Sequence, residues 1–509
     1  MVTGDANTPA HWECINPVQG AQKNCDSWHF SVIFKVGSKE FGITVMSLNR
    51  ISSLLKVCSL ISLLAIVSAC SDSDNDQSSE NAAPMASARV ATEADLLSGP
   101  LARGVPGDYV LENENLRVII QKAGRQWLSI GTFGGNIIDV TRKDTAGAML
   151  PDHLEEFVIG LNIENTPNYT DIRVQNDGSD GQPAVICATG PDDLLELANP
   201  SSAVAGFGVT LPTAADDKDL PVEIETCYSL AVGDRYVVLD STFKNLSSDT
   251  FDVFMTEYLN GSGQVEFFQV NAGFGDPTLT SSCPEQTYVA CGALDEGLCD
   301  QCNFVAYGGV GGAEGVSYGL IHGEQGSSSF SQVGVNIIVY GSSAAELLVG
   351  LEPANYTIPA DGALLLRRYF AVGDGTIASI ADIRNDIFGI EAVAVSGTVS
   401  SAGEPLQNAQ IVVYQVLDAE ANPPALFIVN HSTTDAAGDY SLNVPPGDYQ
   451  IRANMEGYRF SDNDPLTLAV ETDVAVTRDF EMPPSGFLDV TVIDETGPGP
   501  AKLQLVGFD

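Results

Sequence analysis

The residues best suited to proton transfer in this chain stand in Leu-Pro-Asp-His-Leu-Glu-Glu-Phe-Val-Ile-Gly, where Asp152 and His153 are followed by Glu155 and Glu156. A histidine beside carboxylates is the pairing that general acid–base catalysis uses. A second candidate is His322, in Tyr-Gly-Leu-Ile-His-Gly-Glu-Gln, with Glu324 two residues on. Each has a plain structural reading: a loop entering a strand for His153, a strand end for His322. His431 sits in a long hairpin and has no partner in its neighbourhood. The nucleophile pattern Gly-x-Ser-x-Gly fails by one position at Gly261-Ser262-Gly263, and no phosphate-binding glycine loop occurs in a strand-to-helix context. The expected catalytic set is therefore empty, with His153 and His322 as the residues that would overturn it.

Metal chemistry is sparse as well. Asp72-x-Asp74-x-Asp76 opens like a calcium loop, but Gln77 stands where the sharp turn needs Gly and Ala83 where the bidentate Glu belongs. Asn176-Asp177-Gly178-Ser179-Asp180-Gly181 is first a turn, with Asp177 and Asp180 as the calcium candidates. No other cofactor is implied. Cys283, Cys291, Cys299 and Cys302 fall within twenty residues. Zinc would need a second Cys-x-x-Cys pair, and a redox motif should open a helix, so disulfides are expected there and for Cys187 and Cys227.

The run from Met46 to Cys70 places these residues in a compartment. Arg50 and Lys56 precede an apolar stretch from Val57 to Val67, and Val67-Ser68-Ala69-Cys70 ends it. This run resembles a bacterial lipoprotein signal, which implies that Cys70 is the lipid attachment site and the first mature residue. The apolar run is shorter than the roughly 20 residues a membrane span needs. Ser71 rather than Asp follows the cysteine, which by the same resemblance favours the outer membrane or surface of a Gram-negative cell. Residues 1–45 are expected to be an upstream extension from a misplaced start, 46–69 the signal peptide, and 70–90 a polar tether.

From Cys70 onward there are 18 Lys and Arg against 63 Asp and Glu, and Asn245 to Leu366 has no Lys or Arg at all. Such an acidic chain is a poor partner for nucleic acid or anionic headgroups, which require basic patches. The membrane, through the lipid anchor, is the expected partner, together with a glycan or an envelope protein.

The elements that must position these residues are strands. Alternating β-branched and aromatic runs such as Arg-Tyr-Val-Val-Leu-Asp-Ser-Thr-Phe-Lys-Asn, residues 235–245, recur between Gly, Asp, Asn and Pro turns. The fold class is all-β: a large antiparallel β-sandwich over 91–375, followed by a small seven-stranded sandwich of immunoglobulin or transthyretin type over 391–484. One helical linker, 376–390, lies between them. Thr376 is its N-cap, and Ile377, Ile380, Ile383, Ile387 and Phe388 recur at helical spacing. Each sandwich has its own strands, so the second is expected to fold alone. Residues 485–509 begin a further, incomplete β module.

In the second sandwich, Gly397 with Val399, Gly403-x-Pro405, Ala409 before Ile-Val-Val-Tyr, Thr434-Asp435-x-x-Gly438-x-Tyr440, Pro446-Gly447-x-Tyr449 and Gly457-Tyr458 recur as a set. The segment strongly resembles the carboxypeptidase regulatory-like domain, and the resemblance implies a central hairpin at Thr434–Tyr440. The large domain is similar to the galactose-mutarotase-like supersandwich, through Tyr-Ser-Leu leading to Phe-Lys-Asn and a Pro-Ala-Asp-Gly turn before the last strand. That likeness implies a carbohydrate-binding-like fold. The order of modules also resembles the front half of exported metal-dependent hydrolases of the polymerase-and-histidinol-phosphatase class, whose His-x-His is missing here. The leading expectation is a non-catalytic envelope lipoprotein for binding or presentation. The alternatives are the accessory part of such a hydrolase, or a carbohydrate-active enzyme using the large sandwich.

Overall fold

Strict alternation builds the long strands. In Val222–Leu230 and Tyr236–Asn245 the inward residues Ile224, Tyr228, Val237, Leu239 and Phe243 are buried while their neighbours reach solvent. Ser317–His322 is buried on both faces, because a helix covers its outer side. The structure is a computed structural model. It describes residues 33–36 and 39–42. From 85 to 484 it describes all but 125–132, 163–164, 196–218, 254, 262–265, 271–272, 275–303, 309–314, 324–335, 341–355, 419–424 and 461–465; beyond these it describes 493–494 and 497–498. Cys70, Cys283, Cys291, Cys299, Cys302, the tether's acidic run and Glu324 lie outside the described residues.

The chain divides into two units, Met1–Ser79 and Glu80–Asp509. In the first, Ile33–Val36 pairs antiparallel with Lys39–Gly42. In the second, the large sandwich opens with Ser87–Val90, Tyr109–Glu112, Leu116–Ile120, Ile137–Arg142, Leu154–Leu161, Met255–Gly261 and Asn336–Tyr340 as successive neighbours of one sheet. The facing sheet runs Asp171–Asn176, Ala184–Leu194, Val222–Leu230, Tyr236–Asn245, Ala363–Gly373, Ser317–His322 and Phe304–Gly308, with Glu266–Gln269 beyond. Ala184–Leu194 closes the pair of sheets, since its last residues leave the second sheet to pair with Asn165–Pro167 of the first. Cys187 and Cys227 stand opposite each other on adjacent strands and form a disulfide.

The small sandwich faces a four-stranded sheet, Ala425–Thr433, Gln410–Asp418, Gly447–Asn454 and Leu466–Val470, against one centred on Val393–Ser401 and Asp439–Val444. Its turn at Asp435 is built as the residue types require. Asp435 Oδ1 accepts from the backbone of Ala437 and Asp439, and Gly438 takes a φ of 77°. The strands it joins lie in different sheets, so the expected central hairpin is instead a crossover between layers.

The helix Ile377–Phe388 is more than a linker. Ile377, Ile380 and Ile383 are buried in one continuous apolar cluster with Phe268, Phe304 and Ile321 of the large sandwich and Phe427, Val429 and Leu442 of the small one. Gly319 lets it approach: a Cβ there would lie 2.3 Å from Ile380 Cγ2.

Candidate functional site

Asp152 and His153 are fully buried rather than placed in a surface loop. Asp152 Oδ1 accepts from Val140 N at 2.9 Å and Leu154 N at 3.3 Å, while the Tyr318 hydroxyl accepts from His153 N at 2.8 Å. Asp139, close by, accepts from the backbone of Arg103 and Gly104 at 2.7 Å each. Burial, reinforced by the Asp139 charge, holds the Asp152 carboxyl well above the usual carboxylate range. These groups tie the strands Ile137–Arg142 and Leu154–Leu161 to the segment at Ser98, whose carbonyl accepts from Asp152 N. They serve the scaffold. Glu155 accepts from Asn260 on the neighbouring strand at 2.5 Å, and Glu156 is buried.

His322 joins a different group. It ends the strand Ser317–His322, buried, with the Tyr356 hydroxyl 3.2 Å from Nε2. On the adjacent strand it stands opposite Arg368, whose Nε donates to Glu257 Oε1 at 2.6 Å. Both ends of that ion pair are shut off from solvent, and it crosses between the two sheets. Nearby, the Tyr169 hydroxyl donates to Thr226 at 2.6 Å, and Thr226 lies 2.7 Å from the Ser241 hydroxyl. Burial raises the Tyr169 phenol above its ordinary range. Thus the structure brings His322, Tyr356, Arg368 and Glu257 into one interior polar group and leaves His153 in another. Sequence reasoning passed over Arg368 and Glu257. The signal was strand parity: Leu366, Arg368 and Phe370 share the inward face of Ala363–Gly373.

His431 faces the joint between the sandwiches, its ring 4.7 Å from that of Phe274, edge to face. Burial lowers its pKa to about 4. Asp177 and Asp180 are spent on their own turn. Asp177 Oδ1 accepts from Ser179 N at 2.9 Å, and Asp180 Oδ1 from Gln182 N at 2.9 Å and from the Asn176 amide.

The open site is a cleft of about 100 Å³ at one end of the large sandwich. Arg142, Lys143, Arg235, Asn115 and Asp374 line it, from four distant segments. Side-chain amides lock two of those segments together. Asn113 donates to the carbonyls of Ala231 and Asp234 at 2.7 and 2.9 Å, Asn115 to that of Gly233 at 2.8 Å. Arg142 Nε is fixed on the Gly315 carbonyl at 2.5 Å, and Lys143 Nζ on Asn113 O at 2.7 Å and Glu112 at 3.0 Å. Hydrogen bonds from Arg117, Arg89 and Lys143 outweigh burial and hold the Glu112 carboxyl down at about 2. The arrangement offers fixed N–H donors to a ligand rich in oxygen. Nothing in local sequence pattern signals it, because its members meet only in the fold.

Residues 394–483 match the family model of the carboxypeptidase regulatory-like domain. No curated relative matches the chain. Among solved structures, the chain is similar to the Slr1438 protein of Synechocystis sp., at 12% identity and TM-score 0.28, covering 55% of this chain and 99% of that one. It is also similar to an alpha-mannosidase from Enterococcus faecalis, at 10% and 0.29, covering 57% and 34%. An alpha-galactosidase from Geobacillus stearothermophilus matches at 8% and 0.31, covering 58% and 45%. The chain spans less than half of each of these two glycosidases. At such scores no residue role passes from any of the three.

Proposed function

We propose that this protein is a lipid-anchored component of the bacterial cell envelope that binds its ligand, a carbohydrate or another envelope molecule, at the end of the large sandwich. The observation that carries the reading is the cleft at Asn115, Arg142, Lys143 and Arg235, where polar side chains from three braced segments are open to solvent. His153 and His322, the residues that an acid–base enzyme would need, are embedded in the scaffold instead. The signal-like run ending at Cys70 supports the anchor, and the polar stretch after it suits a tether. Two or three acyl chains hold a protein stably at a membrane, where one is marginal.

A glycan array probed with the full chain carrying Cys70→Ala tests the binding. Retention of a glycan, weakened by Lys143→Ala, is the expected result. Turnover of a sugar that His322→Ala abolishes would replace this reading with an enzymatic one. For the anchor, Cys70→Ala should remove radiolabelled palmitate and membrane fractionation; unchanged labelling would refute it.

A further inference from the structure

We propose that the cleft at the end of the large sandwich receives an anionic end group, the carboxylate of an acidic sugar; this rests on the binding reading above. The chain carries a net charge of −44, yet three of its 23 Lys and Arg line this one cleft against a single lining acid, Asp374. Its Oδ1 accepts from the backbone and hydroxyl of Thr376 at 3.1 and 2.7 Å, which fixes that carboxylate in place and leaves the cations of the lining in excess of it.

The three cations are held without being neutralised in equal measure. Arg142 is half-buried and anchored through Nε to a carbonyl, which fixes the plane of its guanidinium without cancelling its charge. Lys143 shares Glu112 with Arg117 and Arg89, and Arg89 also pairs with Asp95, so two carboxylates serve three cations. Arg235 pairs with Asp386 at 3.0 Å, but the two side chains are 44% and 73% exposed. A pair that open to water contributes little, and an incoming anion can take its place. Planar guanidinium forks suit a carboxylate, which they can grip in bidentate fashion, and the Asn115 amide beside them suits a hydroxyl.

Size narrows the ligand further. About 100 Å³ is well below the roughly 300–1,000 Å³ of a pocket that encloses a whole small molecule. The cleft therefore grips one terminal residue and leaves the rest of a chain outside.

The test titrates the full chain at low salt with D-glucuronate, D-glucose and inorganic phosphate, read by calorimetry. Glucuronate should bind, glucose should not, and phosphate should bind more weakly than glucuronate. Arg142→Gln should weaken glucuronate by about tenfold or more, the scale of one charge-assisted hydrogen bond. Should that variant fail to fold, Arg235→Gln on the rim and the ionic-strength dependence decide: affinity should fall steeply by about 0.5 M salt. Glucose binding as tightly as glucuronate, or phosphate matching it, would overturn the acidic-sugar assignment. A glycan array positive for neutral glycans with no response to glucuronate would sink this inference alone, whereas an array with no positive glycan would sink the carbohydrate reading beneath it as well.

Discussion

The inward face of the large sandwich carries Arg368, Glu257, Asp152, Thr226 and Ser241 among its aliphatic side chains. The small sandwich packs Val395, Val399, Ile411, Leu442, Tyr449 and Ile451. Among its described residues, the buried polar side chains fall between Asn430 and Thr434, on and just past the strand that meets the helix. Apolar burial is non-directional, so it tolerates shifts of register and rotamer; buried charges and hydroxyls tolerate few, because each needs its partner in place. The difference separates a module held by packing from one whose interior is pinned at chosen points. The cleft opens at the end of the pinned one.

The largest expected effect breaks that contrast at its centre. Arg368→Met or Glu257→Leu alone leaves a charge in the core without its partner and should cost about 3–5 kcal/mol by urea denaturation. The double variant should recover most of the loss. A single variant as stable as the parent would mean that water reaches the pair, and the contrast between the two cores would fall. Next comes the joint. Ile380→Ala removes side-chain volume from a cluster shared by both sandwiches and should cost about 3 kcal/mol. A probe in each sandwich should then report one common, lowered transition; two separate transitions would restore the helix to a mere linker.

The strand alternation, the helix with its Thr376 cap and the set of turn residues in the second sandwich were all legible, because each is written in neighbouring residues. Arg368 was half legible: parity places it inward, but its partner Glu257 lies 111 residues away, and no local rule joins them. The cleft was illegible for the same reason, being assembled from residues near 115, 142, 235 and 374. His431 looked idle because the ring that covers it, Phe274, belongs to the other sandwich. The turn at Asp435 was read correctly as a turn and wrongly as a hairpin, since turn chemistry does not say whether the next strand rejoins the same sheet.

Acidity should separate the two cores by sign. Asp192, buried and accepting from Asn165 and Leu220 N at 2.7 Å each, has its pKa raised by burial to about 7. Its stabilisation is complete below its ordinary value of 3.8 and is lost as pH rises through 7. His431, lowered by burial from 6.5 to about 4, acts oppositely: its contribution is complete above 6.5 and is lost as pH falls through 4. Each slope is worth on the order of 3–4 kcal/mol across its window. Asp192→Asn should flatten the rise in stability on acidifying from pH 7, and His431→Leu the fall between 6.5 and 4. Urea midpoints measured from pH 4 to 8 would show it. If both variants kept the parent's profile, the two groups would have to be solvated.

The smallest effect tests the cap of the shared helix. Thr376 Oγ1 accepts from Ser379 N at 3.2 Å, satisfying one of the N–H groups that a helix start leaves without a partner. At the other end Gly389 adopts a φ of 63° and donates back to the Asn385 and Asp386 carbonyls, as a left-handed C-terminal residue does. Thr376→Ala should cost about 1 kcal/mol, while Thr376→Ser should cost almost nothing because the accepting oxygen stays. Since the helix belongs to both cores, that loss should lower the melting of both sandwiches together, although the substitution touches neither interior. A serine variant as weak as the alanine one would assign the effect to the lost methyl group instead, and the helix would then be held by packing alone, as the small sandwich is.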